Sequence, residues 1–369
     1  MKVFYAAAMR LPTERAHGLQ VMKMCEALAQ EGAEVELLVP RRANSIGTDP
    51  FEYYGVERLF KIRSLHTLDT SVWGQAGFWL HRLAFAAAVA RRLAREREGA
   101  LYSRDELVLA LASFFIKLPL AFEAHEGRMN WAVRRAASRG RFVTVISRGL
   151  KGFFEAHGIA GARIEVLPDG VDFERFAGAP PSTMRQELGI HADEPLVLYT
   201  GHLYAWKGAD SLAQAARYLP QVTFAFIGGT QRDLKDFKGI YGSLRNVRLL
   251  GWRPHAEMPG HLSAADVLVL PNSGIEDISR LYTSPLKMFE YMAAGKPIVA
   301  SDLPSIREIL DEATAYFTPP DDPEALARVI GAVLADPAGA RRRGQAAQQG
   351  AKAYSWRERA KKLIADLAS

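Results

Sequence analysis

Short apolar segments alternate along the chain with longer segments whose apolar residues recur at helical spacing. The apolar segments predict strands. They are Lys2–Ala8, Glu34–Pro40, Ala100–Ser103, Leu118–Phe122, Phe142–Ser147, Arg163–Leu167, Leu196–Thr200, Thr223–Ile227, Val247–Leu249, Val267–Leu270, Ile298–Ala300 and Ala315–Phe317. The segments of helical spacing predict helices. They include Leu19–Gln30, Trp73–Glu98, Leu107–Ser113, Ala209–Tyr218, Met258–Ala264, Ser305–Leu310, Pro323–Ala335 and Trp356–Leu367. Residues Ser64–Val72 follow neither pattern, and we expect irregular structure there. Because strands and helices alternate, we predict an α/β fold with mostly parallel sheets.

This pattern occurs twice, on either side of Ala177–Pro181 (AGAPP), which has the composition of a linker. The chain of 369 residues is long enough for two domains, each with its own core. We predict a doubly wound, Rossmann-like domain over residues 1–176 and a second over residues 177–354. Residues 355–369 contain the last predicted helix.

The segment Leu281–Ser301 (LYTSPLKMFEYMAAGKPIVAS) combines a polar turn, a helix and a strand. Pro285 fits the first turn of the helix, and Gly295 is a typical stop. A helix N-terminus has free N–H groups and the positive end of a dipole, so this turn is a candidate anion site. The alternative is an ordinary helix-and-strand unit of the α/β domain.

Composition and charge indicate a globular protein with an anionic partner. The hydrophobic fraction of 49% and the charged fraction of 24% are ordinary for a soluble chain. The net charge is +6, and most of the basic excess lies in residues 1–175. A phospholipid surface, a lipid diphosphate or a nucleic acid would suit this half, and so would a solvated surface with no partner.

Several classes of protein are disfavoured because their sequence motifs are absent. The dinucleotide fingerprint G-x-G-x-x-G and the phosphate-binding motif G-x-x-x-x-G-K-[ST] are absent, which argues against a dehydrogenase and an ordinary ATPase. No His/Cys spacing is typical of zinc, and no Asp-x-Asp pair follows a strand, so we expect no obligatory metal. Cys25 is the only cysteine, which suits the cytoplasm. The first residues do not resemble a signal peptide, and His81 and Arg82 interrupt the longest apolar stretch, so we expect no membrane span.

Polar residues follow the predicted strands, where ligands of parallel sheets bind. In the second half they are His202, Trp206, Lys207, Gly228, Gly229, Arg253, Glu276, Asp277 and residues 283–287; in the first half they are Arg10, His17, Gly18, Arg104, His125, Ser147 and Asp169. Lys207 stands beside a helix start and suits a phosphate, although an exposed loop lysine is the commoner case. Glu290 suits a vicinal diol such as a ribose, or is an exposed helical carboxylate. His125 is a candidate proton handler or a structural histidine.

Taken in order, several segments resemble the retaining glycosyltransferases of family 4, which have the GT-B fold. The segments are PTERAHGLQVMKMCEALAQEGAEVELLVP from Pro12, AFEAHE from Ala121, TVISRGL from Thr144, LPDGVD from Leu167, YTGHLYAWKG from Tyr199, FAFIGGT from Phe224, LLGWRP from Leu249, ADVLVLP from Ala265 and SPLKMFEYMAAGKPIVASD from Ser284. The resemblance implies two Rossmann-like domains that face a cleft and a last helix that crosses back to the first domain. It implies a retaining, metal-independent hexosyltransferase that uses a nucleoside-diphosphate sugar, most often linked to UDP or GDP.

The family's roles carry over to matching residues. Lys207 corresponds to the basic residue that meets the donor diphosphate, Glu290 to the ribose ligand, and His125 to the histidine near the reacting sugar. Arg253 and Gly228 lie where the base is held. The backbone of Ser284, Pro285 and Leu286 would contact sugar or phosphates, and Gly18 would lie near the phosphates.

The sequence departs from the family at two positions. Tyr282 stands where the family usually has its first glutamate, and Asp277 or Glu276 is a candidate replacement. His202 stands where arginine is common, so we infer that Lys287 joins Lys207 at the phosphates.

The predicted partners are a nucleotide sugar and a hydroxyl acceptor, which is a glycan, a lipid-linked compound or a small molecule, and no nucleic acid. We expect a cytoplasmic protein whose basic first half contacts the inner face of the membrane or a lipid-linked acceptor. Two alternatives remain open: a sugar-nucleotide epimerase of the same fold, and a non-catalytic nucleotide-sugar-binding protein.

Overall fold

The computed structural model describes residues 1–67, 69–70 and 73–368. The chain forms two compact units. The first contains Met1–Pro168 and the segment that begins at Trp356, and the second contains Asp169–Ser355. Residues 177–181 therefore connect two short helices inside the second unit, and the division lies earlier than the composition of the chain suggests.

The first unit is built on a parallel sheet with seven strands among the described residues. The strands are β1 (Lys2–Ala6), β2 (Glu34–Pro40), β3 (Lys61–Leu65), β4 (Ala100–Ser103), β5 (Leu120–Ala124), β6 (Phe142–Val145) and β7 (Ile164–Val166). Their order is β3-β2-β1-β4-β5-β6-β7, which reverses direction at β1, as in a doubly wound fold. The central strands are almost wholly buried because helices cover a parallel sheet on both faces.

Helices of the first unit connect these strands. They are α1 (Ala16–Gln30), α2 (Pro50–Tyr54), α3 (Gly74–Leu93), α4 (Glu106–Phe115), α5 (Trp131–Arg139), α6 (Arg148–Ala156) and, at the end of the chain, α16 (Trp356–Ala368). Asp105 and Ser147 accept backbone N–H bonds at the starts of α4 and α6, which are typical N-caps. The last helix packs in this unit, since Arg359 donates to the backbone oxygen of Pro168 at 3.0 Å.

One expectation about the first unit is wrong. Residues 64–65 belong to the edge strand β3 (KIRSL), although irregular structure is expected there from the sequence. This strand is largely exposed, and its charged residues suit a sheet edge, so it lacks the apolar run that marks the buried strands. Leu68, Ser71 and Val72 of the same predicted segment lie outside the described residues.

The second unit repeats the architecture with six parallel strands among its described residues. They are β8 (Leu196–Thr200), β9 (Thr223–Ile227), β10 (Val247–Gly251), β11 (Val267–Leu270), β12 (Ile298–Ser301) and β13 (Tyr316–Thr318), in the order β10-β9-β8-β11-β12-β13. The helices are α7 (Phe173–Phe176), α8 (Met184–Leu188), α9 (Ala209–Ala215), α10 (Gln231–Tyr241), α11 (Met258–Ala264), α12 (Leu286–Ala294), α13 (Pro304–Arg307), α14 (Pro323–Ala335) and α15 (Pro337–Ala351). Two α/β units with parallel sheets confirm the predicted fold class.

The helix α12 lies in the core of the second unit. Its residues from Lys287 to Ala293 are all buried, and Phe289 and Met292 pack with the strands β8 and β11 in one apolar cluster. Gly295 ends the helix with a φ of +68°, a conformation that favours glycine. This packing fixes the position of the helix N-terminus relative to the ends of the strands.

Among the described residues, the helices are too short or too polar to cross a bilayer.

Candidate functional site

The loops that follow β8 and β9 pack backbone against backbone. The amide of Gly201 donates to the carbonyl of Ile227, and the amide of Gly228 donates to the carbonyl of Gly251, each at 2.8 Å. Gly228 has a φ of +118°, and a Cβ atom there would overlap the carbonyl oxygen of Gly201. Only glycine permits this close approach of the two loops, which leaves a floor of bare backbone at Gly201 and Gly228.

Two lysine side chains converge above this glycine floor. The Nζ atoms of Lys207 and Lys287 each lie 3.9 Å from the position that a Cβ atom would take on Gly201. Lys207 comes from the turn after β8, and Lys287 comes from the first turn of α12. The structure therefore brings together the two lysines that the sequence nominates for a phosphate.

The electrostatics of this lysine pair are unusual. The Nζ atom of Lys287 is buried, has no hydrogen-bond acceptor among the described residues and lies 3.8 Å from the centre of the Tyr199 ring. Burial, and then repulsion from Lys207, holds the pKa of Lys287 well below its usual range, although Glu290 acts in the opposite direction. Burial lowers the pKa of Lys207 to about 8. A ligand with two negative charges would relieve the repulsion between the lysines and accept a hydrogen bond from the unpaired donor, so the pair suits an anion.

The N-terminus of α12 points to the same chemistry. Pro285 is the N-cap and offers no side-chain acceptor, so Leu286, and not Pro285 as predicted, is the first helical residue. The hydroxyl of Ser284 accepts the backbone N–H of Asp169 at 3.1 Å, so it holds the loop rather than capping the helix. The N–H group of Met288 donates to the carbonyl of Pro285 at 2.9 Å, and the N–H groups of Leu286 and Lys287 before it have no side-chain cap and can meet an anion.

Glu290, one turn further along α12, is almost buried and accepts a hydrogen bond from an unexpected partner. Its Oε1 atom lies 2.7 Å from Nε2 of His255, which belongs to the turn after β10. The Nδ1 atom of His255 is buried and has no partner among the described residues. The sequence gives no local sign of this contact, since the two residues lie on different elements, 35 positions apart.

Arg253 lies away from the lysine pair. Its guanidinium bonds to Glu187 of α8 at 3.0 Å and borders a cavity of about 580 Å³, which Ser182 and His261 also line. Neither lysine lines this cavity. The Nε atom of Arg253 is buried and has no hydrogen-bond partner among the described residues, so the guanidinium keeps a donor for a further contact.

The residues around the missing glutamate form a π-helical turn over Ile278–Tyr282. Tyr282 ends this turn, three residues before the cap of α12. Asp277 bonds to Arg280 at 2.7 Å and is exposed, as is Glu276. Tyr282 is thus closer along the chain to the helix N-terminus than either carboxylate.

His202 stacks on Tyr204 at 5.0 Å, with the rings almost parallel.

A second polar cluster lies in the first unit and centres on Glu123, the last residue but one of β5. This carboxylate is fully buried. It accepts hydrogen bonds from Tyr5, Tyr102, Gln20, His125 and Arg359, at 2.5 to 3.2 Å. The available signal was a single carboxylate within the apolar strand LAFEA, which sequence reasoning did not single out.

This cluster fixes the protonation of His125. Burial alone would raise the pKa of Glu123, but Arg359 and His125 outweigh it and hold that pKa well below its usual range. Burial, and then the charge of Arg104, lowers the pKa of His125 to about 4. At neutral pH the ring is therefore neutral, Nε2–H donates to the carboxylate, and Nδ1 is left as an acceptor. His17 carries the same shift, to about 4, for the same causes.

Gly18 lies inside α1, where it packs against α2. A Cβ atom there would overlap the hydroxyl of Tyr54, which bonds to both the backbone N–H and the carbonyl of Thr13 at 2.8 Å. The glycine thus allows Tyr54 to hold the polar loop after β1. In the structure its contacts are with this loop.

Comparisons with known proteins agree with the geometry. A family model described as Glycosyltransferase Family 4 matches residues 18–175, and one described as Glycosyl transferases group 1 matches residues 194–336. A D-inositol 3-phosphate glycosyltransferase from Xylanimonas cellulosilytica is 27% identical, over 93% of this chain and 89% of the relative. A GDP-mannose-dependent alpha-(1-6)-phosphatidylinositol monomannoside mannosyltransferase from Mycolicibacterium smegmatis is 28% identical, over 83% of this chain and 78% of the relative.

Solved structures show the same fold. HepE from Anabaena, crystallised with UDP and glucose, has a TM-score of 0.79 and 20% identity, and the match covers 100% of both chains. A sucrose-phosphate synthase from Thermosynechococcus elongatus has a TM-score of 0.75 and 20% identity, over 99% of this chain and 97% of the other. Two parallel-sheet units and family matches to both of them lead to one conclusion: the chain belongs to the glycosyltransferases of family 4 and has the GT-B fold.

Proposed function

We propose that this glycosyltransferase moves a hexosyl group from a nucleoside-diphosphate sugar to a hydroxyl acceptor, with retention at the anomeric carbon and without an obligatory metal. The observation that carries the proposal is the pair Lys207 and Lys287. Two lysines with lowered pKa values, one of them with a buried Nζ atom that has no partner among the described residues, face one point beside a helix N-terminus without a side-chain cap. A diphosphate has the charge and the acceptors that this arrangement requires.

In this proposal the second unit stabilises the leaving group. As the bond between the anomeric carbon and the diphosphate oxygen breaks, negative charge grows on the diphosphate. Lys207, Lys287 and the N–H groups at the start of α12 are already in place to receive it, so little reorganisation is needed. The acceptor hydroxyl attacks from the face that the diphosphate leaves, and its proton passes to the departing diphosphate oxygen. Charge and atoms balance without a protein base.

Glu290 and His125 would take supporting roles. The carboxylate of Glu290 has one oxygen bonded to His255 and a second available to the hydroxyls of a ribose. His125 is neutral and offers Nδ1 as an acceptor to a substrate hydroxyl that reaches the first unit. It therefore orients a hydroxyl and does not supply a proton.

The names of the relatives reduce the number of donor and acceptor classes to test. One relative is named for GDP-mannose, and HepE was crystallised with UDP, so a GDP- or UDP-linked hexose is the proposed donor. The two curated relatives are named for inositol phosphate compounds. A polyol hydroxyl near a phosphate is accordingly the first acceptor class to test, with lipid-linked and glycan acceptors next.

The test begins with ligand binding. Thermal melting with UDP-, GDP-, ADP- and dTDP-sugars identifies the nucleotide, since a ligand at 100 times its dissociation constant adds about 2.7 kcal/mol. Lys207→Ala and Glu290→Ala should each weaken binding of that nucleotide at least tenfold. Lys235→Ala, an exposed lysine on α10, is the matched control and should bind as the wild type does. Wild-type affinity in the Lys207 and Glu290 variants would refute the site.

Turnover separates the remaining alternatives. Product analysis by NMR, with candidate acceptors and the donor identified above, should show a new glycoside whose anomeric configuration matches the donor. An epimerised donor would instead indicate an epimerase, and inversion would contradict the proposed mechanism. Activity that survives EDTA is expected, since no metal takes part.

A further inference from the structure

The exposed face of α3, in the first unit, carries apolar residues where a solvated helix has polar ones. Trp73, Phe78, Trp79, Leu80 and Leu83 are 42–70% exposed. Exposed large apolar groups normally occur singly, and a cluster on one helix indicates a binding surface. The opposite face of the same helix packs normally, with Phe85, Ala86 and Val89 fully buried.

The spacing of the exposed residues forms a stripe along the helix. Ala76, Leu80, Leu83 and Ala87 recur at intervals of four, three and four, and all are exposed. Trp79 widens the stripe near the start of the helix, where the guanidinium of Arg82 lies 5.1 Å from its ring. Phe78 is exposed on the other side of this first turn. This geometry suits a helix that lies flat on an apolar boundary, since residues at these intervals share one side.

The same stripe ends in positive charge. Arg91, Arg95 and Arg97 follow it, are all exposed, and have no carboxylate partner among the described residues. By contrast, Arg82 is held by Asp105 at 3.1 Å, and Arg92 is held by Glu96. The unpaired arginines are therefore those on the open side, where they could meet the negative charge of a partner.

The position of the stripe connects it with the polar cluster of the unit. The helix α3 leads from β3 into β4 of a parallel sheet, so its start lies at the carboxyl edge and its end at the amino edge. His125 follows β5 and lies at that same carboxyl edge. A surface that contacts the apolar start of α3 is thus next to the edge of the sheet that holds His125.

We propose that this face of α3 binds the surface of a bilayer that contains anionic lipids. Tryptophan and phenylalanine favour the boundary between headgroups and acyl chains, and arginines at one end meet the negative headgroups. In residues 91–99 the exposed arginines Arg91, Arg95 and Arg97 outnumber the one exposed carboxylate, Glu98, and this excess of positive charge favours an anionic surface as the partner. This goes beyond the proposed function, because it concerns where the protein binds and not what it transfers.

Vesicle sedimentation tests the proposal without any donor, so its failure leaves the proposed transfer untouched. The wild type should sediment with vesicles of phosphatidylcholine mixed with phosphatidylglycerol, and much less with phosphatidylcholine alone. The triple variant Trp79→Ser, Leu80→Ser and Leu83→Ser should lose about tenfold or more in affinity for each side chain that inserts. Its control is Tyr218→Ser with Ile240→Ser, which removes exposed apolar residues from the second unit.

The arginines give a separate measurement. Arg91→Gln, Arg95→Gln and Arg97→Gln together should lower the affinity for anionic vesicles by about fivefold for each charge, with little effect on neutral vesicles. Arg341→Gln with Arg342→Gln, on the exposed side of α15, is the matched control. The loss should shrink at high salt, because salt screens the headgroups.

Three results would overturn the inference. The first is a wild type that does not bind anionic vesicles. The second is binding of the α3 variants that equals that of the wild type. The third is a change in the mass of the protein in solution on the apolar substitution, which would assign the stripe to contact with a second copy of the chain. Fluorescence quenching by brominated lipids in the wild type needs no variant. Unquenched tryptophan in the presence of saturating vesicles would also contradict the proposal.

Discussion

Replacing Lys287 by methionine should stabilise the empty protein and weaken the donor complex. The lysine stem is buried, and its Nζ atom lacks an acceptor among the described residues. A buried donor without a partner costs about 1–3 kcal/mol. Methionine keeps most of the volume and removes that donor, but it also removes the contact with the Tyr199 ring, worth about 0.5–2 kcal/mol. The net gain is about 1 kcal/mol, which would raise the melting temperature by about 2–4 °C for a unit of this size.

The same change should have the opposite sign in the complex. A hydrogen bond to a charged group contributes about 1.5–3 kcal/mol, so loss of the ammonium should weaken UDP or GDP binding by about 10- to 150-fold. Calorimetry measures both quantities, as thermal unfolding of the free protein and as titration with the nucleotide. Lys235→Met on the exposed side of α10 should change neither.

A fall in melting temperature together with unchanged nucleotide affinity would refute this reasoning. It would mean that the ammonium of Lys287 stabilises the fold through a partner and takes no part in binding. A parallel loss of both stability and affinity would instead indicate a damaged helix α12, which a circular dichroism spectrum would reveal. Only the combination of a more stable free protein and a weaker complex supports an anion site at Lys287.

The remaining predictions concern pH, positioning and backbone. Because the pKa of Lys207 is about 8 in the free protein, nucleotide affinity should fall by up to tenfold per pH unit above pH 8. Calorimetric titrations in buffers of different ionisation enthalpy should show proton uptake on binding. Constant affinity from pH 7 to pH 10 would contradict this prediction. In the folded protein His17 and His125 have pKa values of about 4, below the usual histidine value of 6.5, so the unfolded chain binds more protons between these two pH values. The free energy of unfolding should therefore be full above pH 6.5 and fall towards pH 4, by at most about 1.4 kcal/mol per pH unit for each ring. Urea unfolding at several pH values measures this fall. His255→Ala should raise the donor KM and leave kcat nearly unchanged, because it frees the ribose carboxylate from its partner; an equal fall in kcat would show a different role. Gly228→Ala should lower the free energy of unfolding by about 2 kcal/mol or more, since its φ of +118° and the overlap with a carbonyl both penalise a side chain; a native melting curve would contradict the close approach.

The strands and most long helices follow from sequence pattern alone, because burial on both faces leaves an unmistakable apolar run. The strands Leu196–Thr200 and Thr223–Ile227 are predicted to the residue. The edge strand Lys61–Leu65 is not, because an exposed edge needs no apolar run. The division between the units also differs from the prediction: AGAPP has the composition of a linker, but composition does not register the contacts that hold residues 169–181 in the second unit.

Some features of the candidate site can also be predicted from the sequence, and others cannot. Lys207 and Lys287 lie beside predicted strand ends and helix starts, so the topology of a parallel sheet is enough to bring them together. The partners of Glu290 and Glu123 could not be predicted. His255 reaches Glu290 across 35 residues, and Arg359 reaches Glu123 across 236. Such contacts depend on how helices pack on the sheet, and no periodicity in the sequence encodes that.

The two histidine–glutamate pairs show how burial decides what the same chemistry can do. In the first unit Glu123 is fully buried, and its oxygens are filled by five donors, so this carboxylate has no capacity left for a ligand. It can only act through His125, whose free Nδ1 becomes the functional atom. In the second unit Glu290 has His255 on one oxygen, and its other oxygen has no partner among the described residues. In our proposal the histidine there is the support and the carboxylate is the functional group, because its second oxygen can accept from the hydroxyls of a ribose.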